Sequence, residues 1–138
     1  MGNWHLPNSY QASLERTYSD GTSNTLCVAE SYGRCRQLNA STGTIDERGT
    51  LWAHETVTPE WHAMFNDWNA RGAASKFQVQ PSNLKGECNW FLPQQIHAGG
   101  MNILMLDGSV RTVNSSVSNV TWAIALTPSG GETLPGDW

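Results

Sequence analysis

The sequence contains no long apolar run and little charge of either sign. A transmembrane helix needs roughly 20 consecutive apolar residues, and no stretch of this 138-residue chain approaches that. Charged residues make up 14% of the sequence, whereas the average for soluble proteins is about 25%. With only eight Lys and Arg and a formal net charge of −4, the composition predicts no basic surface for nucleic acid or anionic lipid.

Common catalytic motifs are also missing. The sequence has no P-loop, no GxGxxG and no GxSxG, so nucleotide enzymes and α/β-hydrolases have no support. The pair His54-Glu55 has no second His at the spacing of a zinc protease. A small hydrolase of glycosidic or ester bonds stays an alternative, because two carboxylates or a histidine can meet in space. Its candidate catalytic residues are His97, Glu55 and Asp67.

Cysteine is scarce, with only Cys27, Cys35 and Cys88 present. An odd number permits one disulfide and a free thiol, or no disulfide. If the protein is exported, we expect Cys35 to pair with Cys88, because both lie beside loop-like sequence. Cys27 lies in an apolar run, which predicts a buried thiol that behaves as a small hydrophobe.

Length and pattern predict one domain over residues 1–138. Its first half predicts coil over 1–19, a buried strand over Thr25–Glu30, loop over 33–48 and a strand over 49–54. An amphipathic helix is predicted from Thr58-Pro59 to Arg71-Gly72, with Thr58 as its N-cap. Residues 73–96 are predicted to be an extended loop.

The C-terminal part carries the strongest local signal. Met101–Leu106 and Ser109–Val113 flank Asp107-Gly108, which predicts a β-hairpin with a two-residue type I′ turn. Ser118 is the predicted N-cap of a short helix that ends at Leu126, before Thr127-Pro128.

Tryptophan is unusually frequent, with seven Trp against three Phe and three Tyr. Trp serves as a large core residue or as a flat surface for sugars and partners. A carbohydrate- or solute-binding module that uses exposed Trp and Asn is therefore a second alternative. Its candidate binding residues are Trp52, Trp61 and Trp90.

Two blocks resemble a known bacterial family. His97, nine intervening residues and Asp107-Gly108 match an H-x9-DG pattern, and Ser19–Leu26 with Glu30 resembles that family's other recurrent stretch. The chain thus resembles the prepilin-type processing-associated domains, which are abundant in planctomycetes and of unknown function. The predicted strand Met101–Leu106 lies between His97 and Asp107 and alone spans roughly 20 Å at about 3.3 Å per residue, so the pattern predicts structural landmarks. The residues that mark it are His97, Gly99, Gly100, Asp107 and Gly108.

The resemblance implies a pseudopilin-like globular α+β head, with a small antiparallel sheet, the D-G hairpin and short helices packed on it. The leader and the long apolar N-terminal helix of pseudopilins are absent from this sequence, so we expect the head alone. The implied function is an exported structural or interaction domain, periplasmic or displayed on the cell surface or a fibre. The implied partners are other pilin-like subunits or secretion components, with polysaccharide as an alternative, and a membrane only through the missing helix.

Calcium is the only cofactor that the resemblance suggests, because major pseudopilins often bind it in a loop of the head. Asp20, Asn24 and Glu30 are candidate oxygen ligands. Their spacing lacks the regular alternation of an EF-hand loop, so the alternative is that Asp20 and Asn24 stabilise a turn. No other cofactor is indicated.

Overall fold

A computed structural model describes residues 13–49, 66 and 69–138. The chain forms an α+β fold of short elements, as predicted in outline. In chain order these are α1 (Leu14–Thr17), β1 (Leu26–Ala29), β2 (Cys35–Leu38), β3 (Ile45–Arg48), a 3₁₀ helix (Gly72–Ser75), β4 (Gln78–Val79), β5 (Gln94–Gln95), β6 (Met101–Met105), β7 (Val110–Val113) and α2 (Asn119–Leu126). None of the helices in the described part is long and apolar enough to cross a membrane.

The central element is an antiparallel sheet of three strands in the order β1-β6-β7. Alternate residues of β6 are buried, namely Met101, Ile103 and Met105, as expected for a strand with one face on the core. The core that they join also contains Leu26, Phe77, Val113, Val117, Trp122 and Ala125. The inner face of this sheet therefore holds the fold together.

Helix α2 covers the core side of the sheet. Ser118 is its N-cap, and the Ser118 hydroxyl accepts a hydrogen bond from the Thr121 amide at 3.0 Å. Trp122 is fully buried, and its Nε1 donates to the Ser75 hydroxyl at 3.3 Å. Phe77 packs edge-on against the indole with 5.3 Å between ring centroids. The predicted helix and its cap are confirmed.

The predicted hairpin is present as β6 and β7, but its turn differs from the prediction. The amide of Met105 donates to the carbonyl of Ser109 at 2.8 Å, and the amide of Gly108 donates to the carbonyl of Met105 at 3.0 Å. These bonds close a three-residue loop over 106–108 with Gly108 at φ 85°. A type I′ turn needs positive φ at both central residues, which Asp107 does not have. The two-residue prediction was wrong.

Residues 33–48 were predicted to be loop, yet they contain the hairpin of β2 and β3. Its register pairs Cys35 with Arg48 and Leu38 with Ile45. The strands read CRQL and IDER, so polar residues on both faces hide the alternation that reveals a strand. A disulfide joins Cys35 to Cys88, which confirms the predicted pairing and attaches the hairpin to the following loop.

Strand β1 is less buried than predicted. Val28 is 52% exposed and the thiol of Cys27 is free and exposed, so the buried-thiol prediction was wrong. The pairing with β6 shifts between Leu26 and Val28. Such a bulge inserts an extra residue and redirects side chains, and it places Cys27 outside the core.

Two predicted elements fall largely outside the described residues: the strand over 49–54 and the helix from Thr58. The residue predicted to end that helix, Gly72, begins the 3₁₀ helix with φ 53°. The predicted loop over 73–96 includes the two-residue strands β4 and β5, which pair in parallel. Residues 14–17 form one helical turn where coil was predicted.

Candidate functional site on the outer face of the central sheet

The outer face of the central sheet carries an apolar row across its three strands. The register places Val28 beside Leu104 and Leu104 beside Val110. Val28 and Val110 are 52% and 69% exposed. These three residues, called the apolar row below, line a shallow groove with Ala29, Glu30, Asn102 and Ile103.

A polar row runs beside the apolar row. Asn102 pairs with Thr112 across the hairpin, and the Thr112 hydroxyl donates to Asn102 Oδ1 at 3.0 Å. Asn102 Nδ2 donates in turn to Glu30 Oε2 at 3.2 Å. One continuous chain of side-chain hydrogen bonds therefore runs from β7 across β6 to Glu30, the residue that follows β1.

Glu30 links this row to the segment that contains His97. The amide of Ile96 donates to Glu30 Oε1 at 3.2 Å, and His97 Nε2 lies 3.4 Å from Glu30 Oε2. The Glu30 side chain is 14% exposed and that of His97 is 61% exposed. The His97 ring is thus exposed to solvent, whereas the Glu30 carboxylate beside it is mostly buried. Their contact orients the ring at the start of the hairpin.

Asp107 lies at the other end of the hairpin and bonds to different groups. Its Oδ1 accepts from the amide of Ser109 at 2.8 Å and from the Ser109 hydroxyl at 2.7 Å. The Ser109 side chain, with the Ser109 amide, lowers the pKa of Asp107 below its ordinary value of 3.8. This carboxylate stabilises the loop, and it shares no hydrogen-bond partner with His97.

The glycine pair after His97 has two different roles. Gly100 has φ 138°, and a Cβ there would lie 2.7 Å from the carbonyl oxygen of Val113. Gly99 has no positive φ, and a Cβ there would meet nothing within 4 Å. Only Gly100 is required by the close approach of β7.

The calcium candidates are divided between two places. The Asp20 carboxylate accepts from the amides of Gly130 at 2.7 Å and Gly131 at 2.9 Å. Asn24 Nδ2 donates to the Asp20 carbonyl at 2.8 Å, whereas Glu30 belongs to the polar row. In the described part of the chain, no cluster of three His, Cys, Asp or Glu has an arrangement suited to a metal ion.

Most of the remaining candidate residues lie outside the part of the chain that the structure describes. Glu55, Asp67, Trp52 and Trp61 lie outside the described residues. For His97, the described residues supply no Ser, Thr or Cys side chain within hydrogen-bonding distance. Trp90 is partly buried, with the guanidinium of Arg48 at 4.2 Å from its ring centroid.

The apolar row was not predicted from the sequence, although one signal for it exists. In β6 the outward residue Leu104 lies between the buried Ile103 and Met105. A half-exposed strand normally alternates apolar and polar residues, so three consecutive apolar residues indicate that the outer face is also apolar at this point.

A disulfide-bridged α+β domain is thus defined, with a sheet whose outer face joins an apolar row to a polar row. A family model described as "Protein of unknown function (DUF1559)", with the short name SBP_bac_10, matches residues 15–119. The chain belongs to this family. Neither the curated proteins nor the solved structures contain a match to it.

Proposed function

We propose that this chain is an exported, non-catalytic interaction domain, the head that pilin-like subunits present to one another in a fibre or secretion assembly. The observation that carries the proposal is the apolar row, where Val28 and Val110, on the two edge strands of the sheet, are more than half exposed on either side of Leu104. An uncharged exposed patch on a well-ordered face is typical of a protein contact surface.

The roles of the signature residues support a structural function. Glu30 and His97 join the two recurrent blocks of sequence, and Asp20 joins the first block to the C-terminal tail. These are the residues that resemble the H-x9-DG family of pseudopilin-like proteins. Their polar atoms are used in contacts that hold the fold together, which favours a scaffold over a catalyst.

The small size of the apolar row favours a neighbouring subunit of the same kind as its occupant. A stable, independent interface buries about 800 Å² on each partner, and three side chains supply only a fraction of that area. A weak contact becomes effective when subunits are already held side by side, because tethering raises their local concentration. Subunits of a fibre meet that condition.

Export is supported by the covalent chemistry of the chain. The disulfide between Cys35 and Cys88 is a kind of bond that persists mainly in oxidising compartments. The low content of charged residues, 14%, accords with an exported surface that relies on neutral polar groups.

Cysteine crosslinking tests the proposal in cells that express the full-length protein. With Cys27→Ser as background, Val110→Cys in the apolar row is expected to crosslink neighbouring subunits under mild oxidation. Val120→Cys is the matched control, because Val120 is 66% exposed on α2, away from this face. Equal crosslinking at both positions, or none at position 110, would contradict the proposal.

Enzyme activity is tested on the same protein with chromogenic glycosides and esters. We expect no turnover above the blank. If turnover is observed and His97→Ala abolishes it, the hydrolase alternative would replace the proposed function.

A further inference from the structure

A second surface lies on the hairpin of β2 and β3, away from the outer face of the central sheet. The register pairs Gln37 with Asp46 and Cys35 with Arg48, so these four side chains share one face of the hairpin. That face borders a pocket of about 330 Å³. The pocket is lined by Gln37, Leu38, Asn39, Ala40, Asp46, Arg48 and Trp90.

The wall formed by Trp90 is held in place before any ligand binds. Cys88, two residues earlier, is bonded to Cys35, and its amide donates to the Arg36 carbonyl at 3.1 Å. Arg48 lies over the Trp90 ring at 4.2 Å, a cation–π contact that fixes both groups. A preformed site loses less conformational freedom on binding.

Polar groups of both hydrogen-bonding kinds meet in this pocket. Asp46 Oδ2 accepts from Asn39 Nδ2 at 3.0 Å, and within the described residues Asp46 Oδ1 has no partner. Gln37 and Asn39, which also line the pocket, carry amide groups that can donate and accept hydrogen bonds. The Asp46 Oδ1 atom is therefore an acceptor that the described protein groups leave available in the pocket.

The charges of the pocket select against an ionic ligand. Asp46 and Arg48 are the two charged side chains among its lining residues, and their opposite charges cancel. A bound anion would face the Asp46 carboxylate, and a bound cation would face the Arg48 guanidinium. An uncharged molecule that both donates and accepts hydrogen bonds fits this arrangement best.

We infer that this pocket binds one or two rings of a neutral polysaccharide. Sugar hydroxyls donate and accept, as the Asp46 carboxylate and the amides require, and the C–H groups of a pyranose pack against the exposed part of the Trp90 ring. The volume is at the lower end of the 300 to 1,000 Å³ range of small-molecule sites. This function is separate from the subunit contact proposed above and depends on different residues.

Amide NMR titration of the full chain tests the inference, with cellopentaose, xylopentaose and laminaripentaose as probes. At least one probe is expected to shift the signals of residues 37–48 and 90 at millimolar concentration. Asp46→Asn and Trp90→Ala should each weaken binding at least tenfold, whereas Trp90→Phe should retain part of it. Val120→Thr, an exposed position on α2, should bind as the unchanged protein does.

Three results would overturn the inference. The first is the absence of any shift with all three probes at about 10 mM, a concentration that fills most of any site whose Kd is about 1 mM. The second is unchanged binding by Asp46→Asn, a variant that keeps the size of the side chain. The third is tighter binding of trigalacturonate than of the neutral probes, which would show an anion site.

Discussion

At the scale of single residues, Glu30 is the carboxylate with the most connections in the described chain. It accepts from Ile96 and Asn102, and His97 lies beside it. Because its side chain is only 14% exposed, its removal leaves the part-buried Asn102 amide group without its acceptor. The His97 side chain is 61% exposed. Removing it should therefore cost less folding stability than removing Glu30.

This inequality gives a prediction for the two residues. Glu30→Ala should lower the free energy of unfolding by about 1–3 kcal/mol, the usual effect of removing a hydrogen-bonded charged partner. His97→Ala should lower it by less than about 1 kcal/mol, as for an exposed ion pair. Urea unfolding of both variants and of the double variant measures the coupling. A larger loss for His97→Ala than for Glu30→Ala would refute this account.

Several residue-level features were accessible from the sequence and others were not. The pairing of Cys35 with Cys88 was predicted because both flank loops, and the disulfide has that pairing. The exposure of Cys27 was missed, because hydrophobic pattern reports how apolar a strand is and says nothing about a bulge at one of its positions. The partners of Asp20 are 110 and 111 residues away, a separation that no local pattern encodes.

At the scale of elements, the start of the hairpin depends on one glycine of a pair. Gly100→Ala should lower the free energy of unfolding by at least about 2 kcal/mol, because it adds a Cβ 2.7 Å from a backbone oxygen at positive φ. Gly99→Ala is the matched control and should change it by less than about 0.5 kcal/mol. Thermal or urea unfolding measures both. Similar losses in the two variants would show that the close contact with β7 is not the cause.

Helix α2 is capped from outside by the C-terminal tail. The Asp137 carboxylate accepts from the Thr121 hydroxyl at 2.6 Å and from the Ser118 amide at 2.8 Å. The Thr121 side chain, followed by the Ser118 amide, lowers the pKa of Asp137 below its ordinary value of 3.8. A negative charge at this position also complements the positive end of the helix.

This cap predicts how stability depends on pH. Since the pKa of Asp137 is lower in the folded chain, its contribution is fully present above pH 3.8 and is lost as the pH falls through the lowered value. Asp137→Asn should therefore reduce Tm near neutral pH and weaken the fall of Tm below pH 4, roughly the ordinary carboxyl range. Glu132→Gln should keep the original slope in the same thermal scans. If Tm falls with pH as steeply in Asp137→Asn as in the unchanged protein, Asp137 does not cause the pH dependence.

Elements with strong local signals were predicted well. The helix capped by Ser118 and the β6–β7 hairpin were predicted because propensity, turn residues and hydrophobic pattern agree there. The β2–β3 hairpin was missed because Asp46 and Glu47 in β3 are depleted in strands. Its pairing is supported by the disulfide and by the bond from the Leu38 amide to the Gly86 carbonyl. The pocket on this hairpin was missed with it.

At the scale of the whole molecule, the disulfide between Cys35 and Cys88 closes a loop across 53 residues. Loop-closure entropy for that length corresponds to about 4 kcal/mol of stabilisation. The double substitution of Cys35→Ser and Cys88→Ser should lower the free energy of unfolding by about that amount, as measured by urea unfolding without reductant. Cys27→Ser should leave it unchanged, because that thiol is free and exposed. Equal stability of all three proteins would show that the bridge is dispensable.

The strand order β1-β6-β7 has a consequence for how the chain matures. The central strand β6 begins at Met101, whereas its neighbour β1 ends at Ala29, so more than 70 residues separate the two. Contacts between distant segments slow folding, and during synthesis β1 cannot pair with β6 until more than 70 further residues have been made. We expect the newly made chain to stay open until then, a state in which it can still be threaded through a narrow translocation pore.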